Sequence, residues 1–252
     1  MFDYKHPLGN YKIGIVKFCG KVFSNVSLFF LSLLFKIDKS KNEIIISSSF
    51  YAPWKHDKSF YDFYNIIKEY TLLDTKRLYT LWFFSKSLNI LKSDILDIGC
   101  LKGGAGFAMA KVNKTGTTYL IDTFRGLVEN ENYHKKSHFV FEDINLVKNK
   151  IKKLRLKNVR VIKANFPKGM DKIFKRKKFK LCHVDVNTFN ATKLSFEFIR
   201  KKIVKNGIVI FDDYGIHSTE GIKKYVDIIM KKYKNEFSFI NNYMGQCILI
   251  KK

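Results

Sequence analysis

The stretch DILDIGCLKGGAG (94–106) decides the fold. Its first half, Asp94 to Gly99, is a short apolar run with β-branched residues, the pattern of a strand buried on both faces. Its second half is glycine-rich and opens a helical stretch from Gly106 to Val112. A strand that turns tightly into a helix is the opening unit of an α/β sheet. Gly99 and Gly103 are the positions at which backbone can come close to a bound molecule without an intruding side chain.

Working outward, strand-like runs recur with helical stretches between them. TTYLID (117–122), VRVIKA (159–164), KLCHVDV (180–186) and GIVIFDD (207–213) alternate with helices expected at 143–154, 191–204 and 220–233. Upstream, residues 57–90 carry apolar positions at helical spacing, interrupted at Asp74, which begins a second helix. Downstream, FSFINNY and QCILIK, joined through Met244 and Gly245, make an antiparallel edge hairpin. The sequence therefore predicts a Rossmann-like α/β fold: a mostly parallel seven-stranded sheet with an antiparallel edge pair. We place this domain at residues 50–252 and assign residues 1–49 to a helical, apolar and basic extension.

In such sheets ligands bind at the carboxyl ends of the strands, near the switch in strand order. Asp97 and Gly99 end the first strand and Asp122 the second, where a carboxylate can accept both ribose hydroxyls. Cys100, Gly103, Gly104 and Thr123 flank them as candidate cofactor contacts. The spacing Gly99-x-x-x-Gly103 lacks the dinucleotide fingerprint and suits S-adenosylmethionine better. Asp185, Asp212 and Asp213 end the fourth and fifth strands. Three converging carboxylates repel one another unless a cation lies between them, and hard oxygen donors with an incomplete shell suit Mg²⁺. A divalent ion so held can bind a sugar or catechol hydroxyl and lower its pKa.

These segments carry a resemblance. YAPWKHDKSF, TLLDTKRLY, DILDIGCLKGGAG, YLIDTFRGL, HVDVNTFNATKLSFEFI, KNGIVIFDDYG and GQCILIKK run in the order of the macrocin O-methyltransferase family, from about residue 50 onward. That family comprises class I S-adenosylmethionine-dependent sugar O-methyltransferases. The resemblance implies cofactor contacts at Asp97, Gly99, Gly103, Gly104, Asp122, Asp185 and, beside the adenine, Asn165. It implies Mg²⁺ ligands at Asp185, Asp212 and Asp213, with Asp185 helping to deprotonate the acceptor. Where the family often has a second acid this chain has Asn187, which leaves Asp185 and His217 as candidate bases. The implied reaction is Mg²⁺-dependent methylation of a sugar hydroxyl, on a nucleotide-linked sugar or heptose for capsule or lipopolysaccharide, or on a glycosylated natural product. A homo-oligomer is the family's common state.

Two segments are expected to shape acceptor choice. Phe124 to Phe141, with Glu129, Glu131, Tyr133, His134 and His138, resembles a lid. Trp54 can stack on a sugar or pack as core. His134 and His138 have helical metal spacing, but without a zinc motif around them.

Composition limits the alternatives. Apolar residues at 46% and charged residues at 27% exclude global disorder and a polytopic membrane protein. Net charge is +25, yet Arg occurs only at 77, 125, 155, 160, 176 and 200. Phosphate and base reading lean on Arg forks, so a solvated lysine-rich surface is preferred to nucleic-acid recognition. An RNA or DNA methyltransferase of the same fold remains the second reading. A non-catalytic membrane-associated scaffold is the third. Cys19, Cys100, Cys182 and Cys247 form no close pairs and read as reduced thiols, the last three as core, consistent with a cytoplasmic protein. Lys12, Lys17 and Lys21 precede an apolar run, Val22 to Phe35, too short to span a membrane. It reads as a helix packed on this domain or a second subunit, as a peripheral contact with the inner membrane face, or as a signal without a cleavage site.

Overall fold

A computed structural model describes residues 10–35, 43, 52–131 and 133–252. The chain divides into two units, Met1–Pro53 and Trp54–Lys252. The first contains helix α1 (Asn10–Phe35). The rest of the amino-terminal extension expected at 1–49, apart from Glu43, lies outside the described residues.

A short helix α2 (Pro53–His56) crosses the boundary between the units. The second unit continues with α3 (Lys58–Ile67) and α4 (Thr75–Ser87), then strand β1 (Asp94–Ile98). From there strands and helices alternate: α5 (Gly104–Val112), β2 (Thr118–Asp122), α6 (Ile144–Lys153), β3 (Val159–Lys163) and α7 (Met170–Ile173). They are followed by β4 (Phe179–Val184), α8 (Phe189–Arg200), β5 (Ile203–Phe211) and α9 (Glu220–Lys232). The hairpin β6 (Phe237–Asn241) and β7 (Cys247–Lys251) closes the chain.

The seven strands form one sheet in the order β3-β2-β1-β4-β5-β7-β6. The first five pair in parallel, and β7 pairs antiparallel to both β5 and β6. The order reverses between β1 and β4, so the switch point lies where the glycine turn and Asp185 were expected to meet. The fold is the class I methyltransferase α/β architecture that the sequence predicts.

The period of two along each strand sorts the core into two layers. Leu96, Ile98, Tyr119, Ile121, Cys182, Val184, Val209 and Phe211 pack beneath α8 and α9. Ile95, Leu120, Leu181, Ile208, Ile210 and Ile248 pack beneath α3, α4 and α5. That second face governs the site, because Asp97, His183, Asp212 and Gln246 continue the same alternation toward α4.

Two boundaries differ from expectation. The helix expected over 191–204 stops at Arg200, and β5 begins at Ile203, earlier than residue 207. Ile203 pairs with Phe179 at the start of β4, and Asn206 adopts φ 62° where the pairing register shifts. Sheet pairing of Ile203 thus overrides the helical spacing of the preceding residues. The short helix α7 has too few residues for its periodicity to be read.

Candidate functional site

Helix caps and turns near the sheet edge come first, because they aim the side chains. Asp74 caps α4, its Oδ1 accepting from the backbone N–H of Lys76 at 2.8 Å and of Arg77 at 3.1 Å. Its Oδ2 also accepts from Arg77 Nε at 3.1 Å, so one carboxylate starts the helix and steers the guanidinium. Asp57 caps α3 and also accepts from the Trp82 indole at 3.2 Å.

Parallel pairing then brings the strand ends level. The backbone N–H of Gly99 donates to Ile121 O, that of Asp185 to Ile98 O, and that of Asp212 to Val184 O, each at 2.9–3.0 Å. The cavity at this edge encloses about 1100 Å³ including its open mouth. It is lined by Gly99, Cys100, Leu101, Asp122, Thr123, Asp185, Asp212 and Asp213, with apolar walls from Leu72, Leu127, Phe139 and Phe166. Arg77 is the one Lys or Arg in its lining.

On the β1–β2 side the polar groups are held by nearby backbone. The Asp122 carboxylate accepts from Leu101 N–H at 2.8 Å and Phe124 N–H at 2.7 Å. Burial pushes its carboxyl above the usual range, and those donors pull it back in part. Burial, then Asp97 and Asp122, push the Cys100 thiol well above its ordinary range, so it stays protonated.

The glycines of this turn are needed for protein packing as well as for access. A Cβ on Gly99, at φ 85°, would stand 1.8 Å from the carbonyl oxygen of Asp185. One on Gly103 would strike the Phe107 ring, and one on Gly104 the backbone carbonyl of Tyr70. The close approach at Gly99 is therefore to β4, which seats the turn against Asp185. Gly103 and Gly104 lie behind the cavity lining.

On the β4–β5 side the groups are held by one another. Asp97 and His183 are register partners on neighbouring strands, and Asp97 Oδ1 lies 2.8 Å from His183 Nδ1. His183 Nε2 faces Asp212 Oδ1 at 3.9 Å, a distance of charge attraction rather than a hydrogen bond. Burial alone would lower the imidazole pKa, but Asp212 and Asp97 outweigh it and raise it to about 10. His183 therefore lies between two carboxylates that favour its charged form. Gln246 donates from Nε2 to Asp212 Oδ1 at 2.7 Å, from the turn that enters β7. Arg77 donates from Nη1 to Asp212 Oδ2 at 2.5 Å and to Asp213 Oδ1 at 2.7 Å. Burial opposes its charge, but Asp212, Asp213, Asp74 and Asp185 hold it firmly protonated.

Asp185 is the exception. Among the described residues, none donates a hydrogen bond to its carboxylate. Burial, then Asp212 and Asp213, push its carboxyl well above the usual range, against His183 and Arg77. Asp213 is raised by burial and by Asp212, and its backbone is held at φ 59°. Carboxylate oxygens of Asp185 and Asp212 and a ring nitrogen of His183 lie within 4.8 Å of one another. A carboxyl that receives no hydrogen bond from the described residues, facing a cavity beside two more acids, is a donor set that suits a hard divalent cation, which would displace its proton. Arg77 already neutralises part of the Asp212–Asp213 side, so such a cation would rest chiefly on Asp185.

Other candidate residues lie farther out. Asn165 is exposed, and its neighbours Ala164 and Phe166 line the cavity instead. His217 is outside the lining, its Nε2 2.8 Å from the Tyr133 hydroxyl. The 124–141 segment is a loop, so His134 and His138 lack helical register; their rings meet edge to face, 6.3 Å apart. Glu129 accepts from the Thr188 hydroxyl and from Asn190 Nδ2 at 3.1 Å, and Glu131 from Phe189 N–H at 2.5 Å. Both acids thus fasten the loop to the amino end of α8, beside Asn187. Trp54 packs against the apolar layer under α3 and α4 and does not line the cavity.

Arg77, His183 and Gln246 were not marked as site residues by sequence reasoning. His183 is the one basic residue within LCHV, an otherwise apolar run, and Arg77 is one of very few arginines. Those were the available signals.

The family model described as Macrocin-O-methyltransferase (TylF) matches residues 63–242. A search of curated proteins finds no match. Among solved structures, the O-methyltransferase NovP is 17% identical with a TM-score of 0.60, over 73% of this chain and 82% of NovP. The calicheamicin methyltransferase CalS11 is 11% identical with a TM-score of 0.61, over 81% and 99%. An O-methyltransferase from Bacillus cereus, in complex with SAH, is 14% identical with a TM-score of 0.54, over 92% and 99%. At these identities the likeness is one of fold.

Proposed function

Because the chain belongs to the macrocin O-methyltransferase family, we propose that this O-methyltransferase moves a methyl group from S-adenosylmethionine to a sugar hydroxyl with the help of Mg²⁺. The observation that carries the reading is that Asp122 and Asp185 line one cavity at the switch point of the sheet. A ribose-binding acid and an acceptor-side carboxylate then face the same bound pair.

S-adenosylmethionine, when bound, supplies a methyl group on a positively charged sulfur. On the protein side, Asp122 accepts the ribose hydroxyls with the lone pairs that Leu101 and Phe124 leave open. Cys100, Leu101, Thr123, Ala164 and Phe166 line the same cavity and would hold the cofactor. Gly99 seats its turn against Asp185, and holding cofactor and acceptor together would supply much of the catalysis. Asp185, Asp212 and Asp213 would hold Mg²⁺, which supplies charge that lowers an acceptor hydroxyl's pKa. Asp185 would take the hydroxyl proton at a carboxylate oxygen, a role favoured by its place in the cavity with no hydrogen bond from the described residues. Arg77 and His183 hold the metal-facing acids in place. Asn187 offers an amide for a sugar hydroxyl. His217, tied to Tyr133, stands farther out and serves the acceptor end.

A nucleotide-linked sugar suits the rim, where Lys102 and Arg125 adjoin the lining residues Leu101 and Gly126. Nucleic acid fits less well, because the cavity's own cation, Arg77, is committed to Asp212 and Asp213.

The test is a calorimetric titration of S-adenosylmethionine into the full chain, with and without Mg²⁺, followed by a panel of nucleotide sugars. Micromolar cofactor binding is expected, with one sugar binding only when Mg²⁺ is present. Folded protein that binds no cofactor overturns the reading; metal-independent sugar binding overturns the role of Mg²⁺.

A further inference from the structure

Helix α1 has no part in the chemistry above, yet it carries the largest run of exposed apolar side chains among the described residues. Ile15, Phe18, Val22, Val26, Phe29 and Leu33 are all exposed and recur at steps of three or four, one face of a helix. Phe23, Phe30 and Leu34 widen that face, with Leu34 at 75% exposure. Lys21, Asn25 and Ser32 border one edge of that face, and the side away from it carries Ser24, Leu28 and Leu31, all less exposed.

Length and charge decide what such a helix suits. No described helix is long and apolar enough to cross a membrane. The uncharged part, Val22 to Phe35, rises about 21 Å at the usual pitch, short of a hydrocarbon core of about 30 Å. From Asn10 to Phe35 there is no acidic residue; Lys12, Lys17 and Lys21 lie before the apolar stretch, and Lys36, Lys39 and Lys41 follow it, with Asp38 between them and Glu43 after them. Lysines on both flanks favour a helix lying in an interface over one inserted end first. A second copy of this chain would set one +25 body against another. An anionic bilayer surface offers the opposite charge together with an apolar layer.

We propose that α1 is an interfacial helix that seats this chain on an anionic phospholipid surface, with the wide apolar face in the acyl boundary and the lysines at the headgroups. The proposal is independent of the methyl-transfer reading.

The full chain would be floated with vesicles of phosphatidylcholine alone and with vesicles containing one third phosphatidylglycerol. Binding is expected to be about tenfold or more stronger with phosphatidylglycerol and to fall as salt rises. The double variant Phe29→Asp with Leu33→Asp should lose it, and Lys17→Glu with Lys21→Glu should remove the lipid preference. Thermal melting of each variant reports whether the rest of the fold is intact. Three outcomes overturn the proposal: equal binding to both vesicle types, no binding by the wild-type chain, or a lipid-free oligomer in sedimentation that Phe29→Asp with Leu33→Asp dissolves. The last identifies a second copy as the occupant.

Discussion

The two halves of the cavity are built on different principles. Around β1 and β2 the polar contacts are short-range and mostly with backbone: Asp122 takes Leu101 and Phe124 N–H groups, and Gly103 N–H returns to Cys100 O at 2.7 Å. Around β4 and β5 they run from side chain to side chain across long stretches of chain. Arg77 reaches Asp212 across 135 positions and Asp213 across 136. The first half is vulnerable at its glycines, where only the backbone matters. The second is vulnerable at its ionic side chains, whose charges are stable only together.

The difference can be broken from either side. The largest effect is expected on the side-chain half: Asp185→Asn should lower turnover about a thousandfold with S-adenosylmethionine affinity unchanged, measured by steady-state kinetics and calorimetry. If turnover stays near wild type in Mg²⁺, Asp185 is not the base. On the backbone half, Gly99→Ala forces a Cβ onto Asp185 O at φ 85°, and should destabilise the fold by more than about 3 kcal/mol in urea denaturation.

Arg77→Met leaves Asp212 and Asp213 without their guanidinium, and a loss of about 3 kcal/mol of stability is expected. Arg77→Lys should recover only part of it, because an ammonium cannot reproduce the fork that reaches Asp74, Asp212 and Asp213 together. A full rescue by lysine would reduce the cluster to simple charge balance. Asp74→Ala removes a cap and the Nε contact, and should cost about 1 kcal/mol with a small drop in activity. The smallest effect belongs to the loop: Glu131→Gln should raise the acceptor KM about fivefold and leave cofactor affinity alone. Equal losses for cofactor and acceptor would instead make Glu131 a general stabiliser.

The same contrast explains what could be read from the sequence. The strands, the glycine turn and the acids at 97, 122, 185, 212 and 213 were legible because a strand's end and its period of two are local properties. The face shared by Asp97, His183, Asp212 and Gln246 follows from that period, but only once the register between strands is known. Arg77 is fixed by where α4 lies across the sheet, a long-range packing fact that no local pattern encodes. The shortened α8 was missed for a related reason, since pairing of Ile203 with Phe179 outweighs local helical spacing. Trp54 was equally suited to a sugar or to the core by chemistry alone; it is partly buried and packs against the core layer, outside the cavity lining.

The anchoring of the 124–141 loop bears on how acceptor specificity is exchanged between relatives. Glu131 sits where a Cβ on Gly221 would be, 1.5 Å from its Oε1, while Glu129 and Glu131 hold the start of α8 through Thr188 and Phe189. A graft of this loop into another scaffold would therefore carry its sockets with it, Thr188 and Gly221 included. Recombination breakpoints that separate the loop from those two positions should yield chimeras with an intact cofactor side and no defined acceptor.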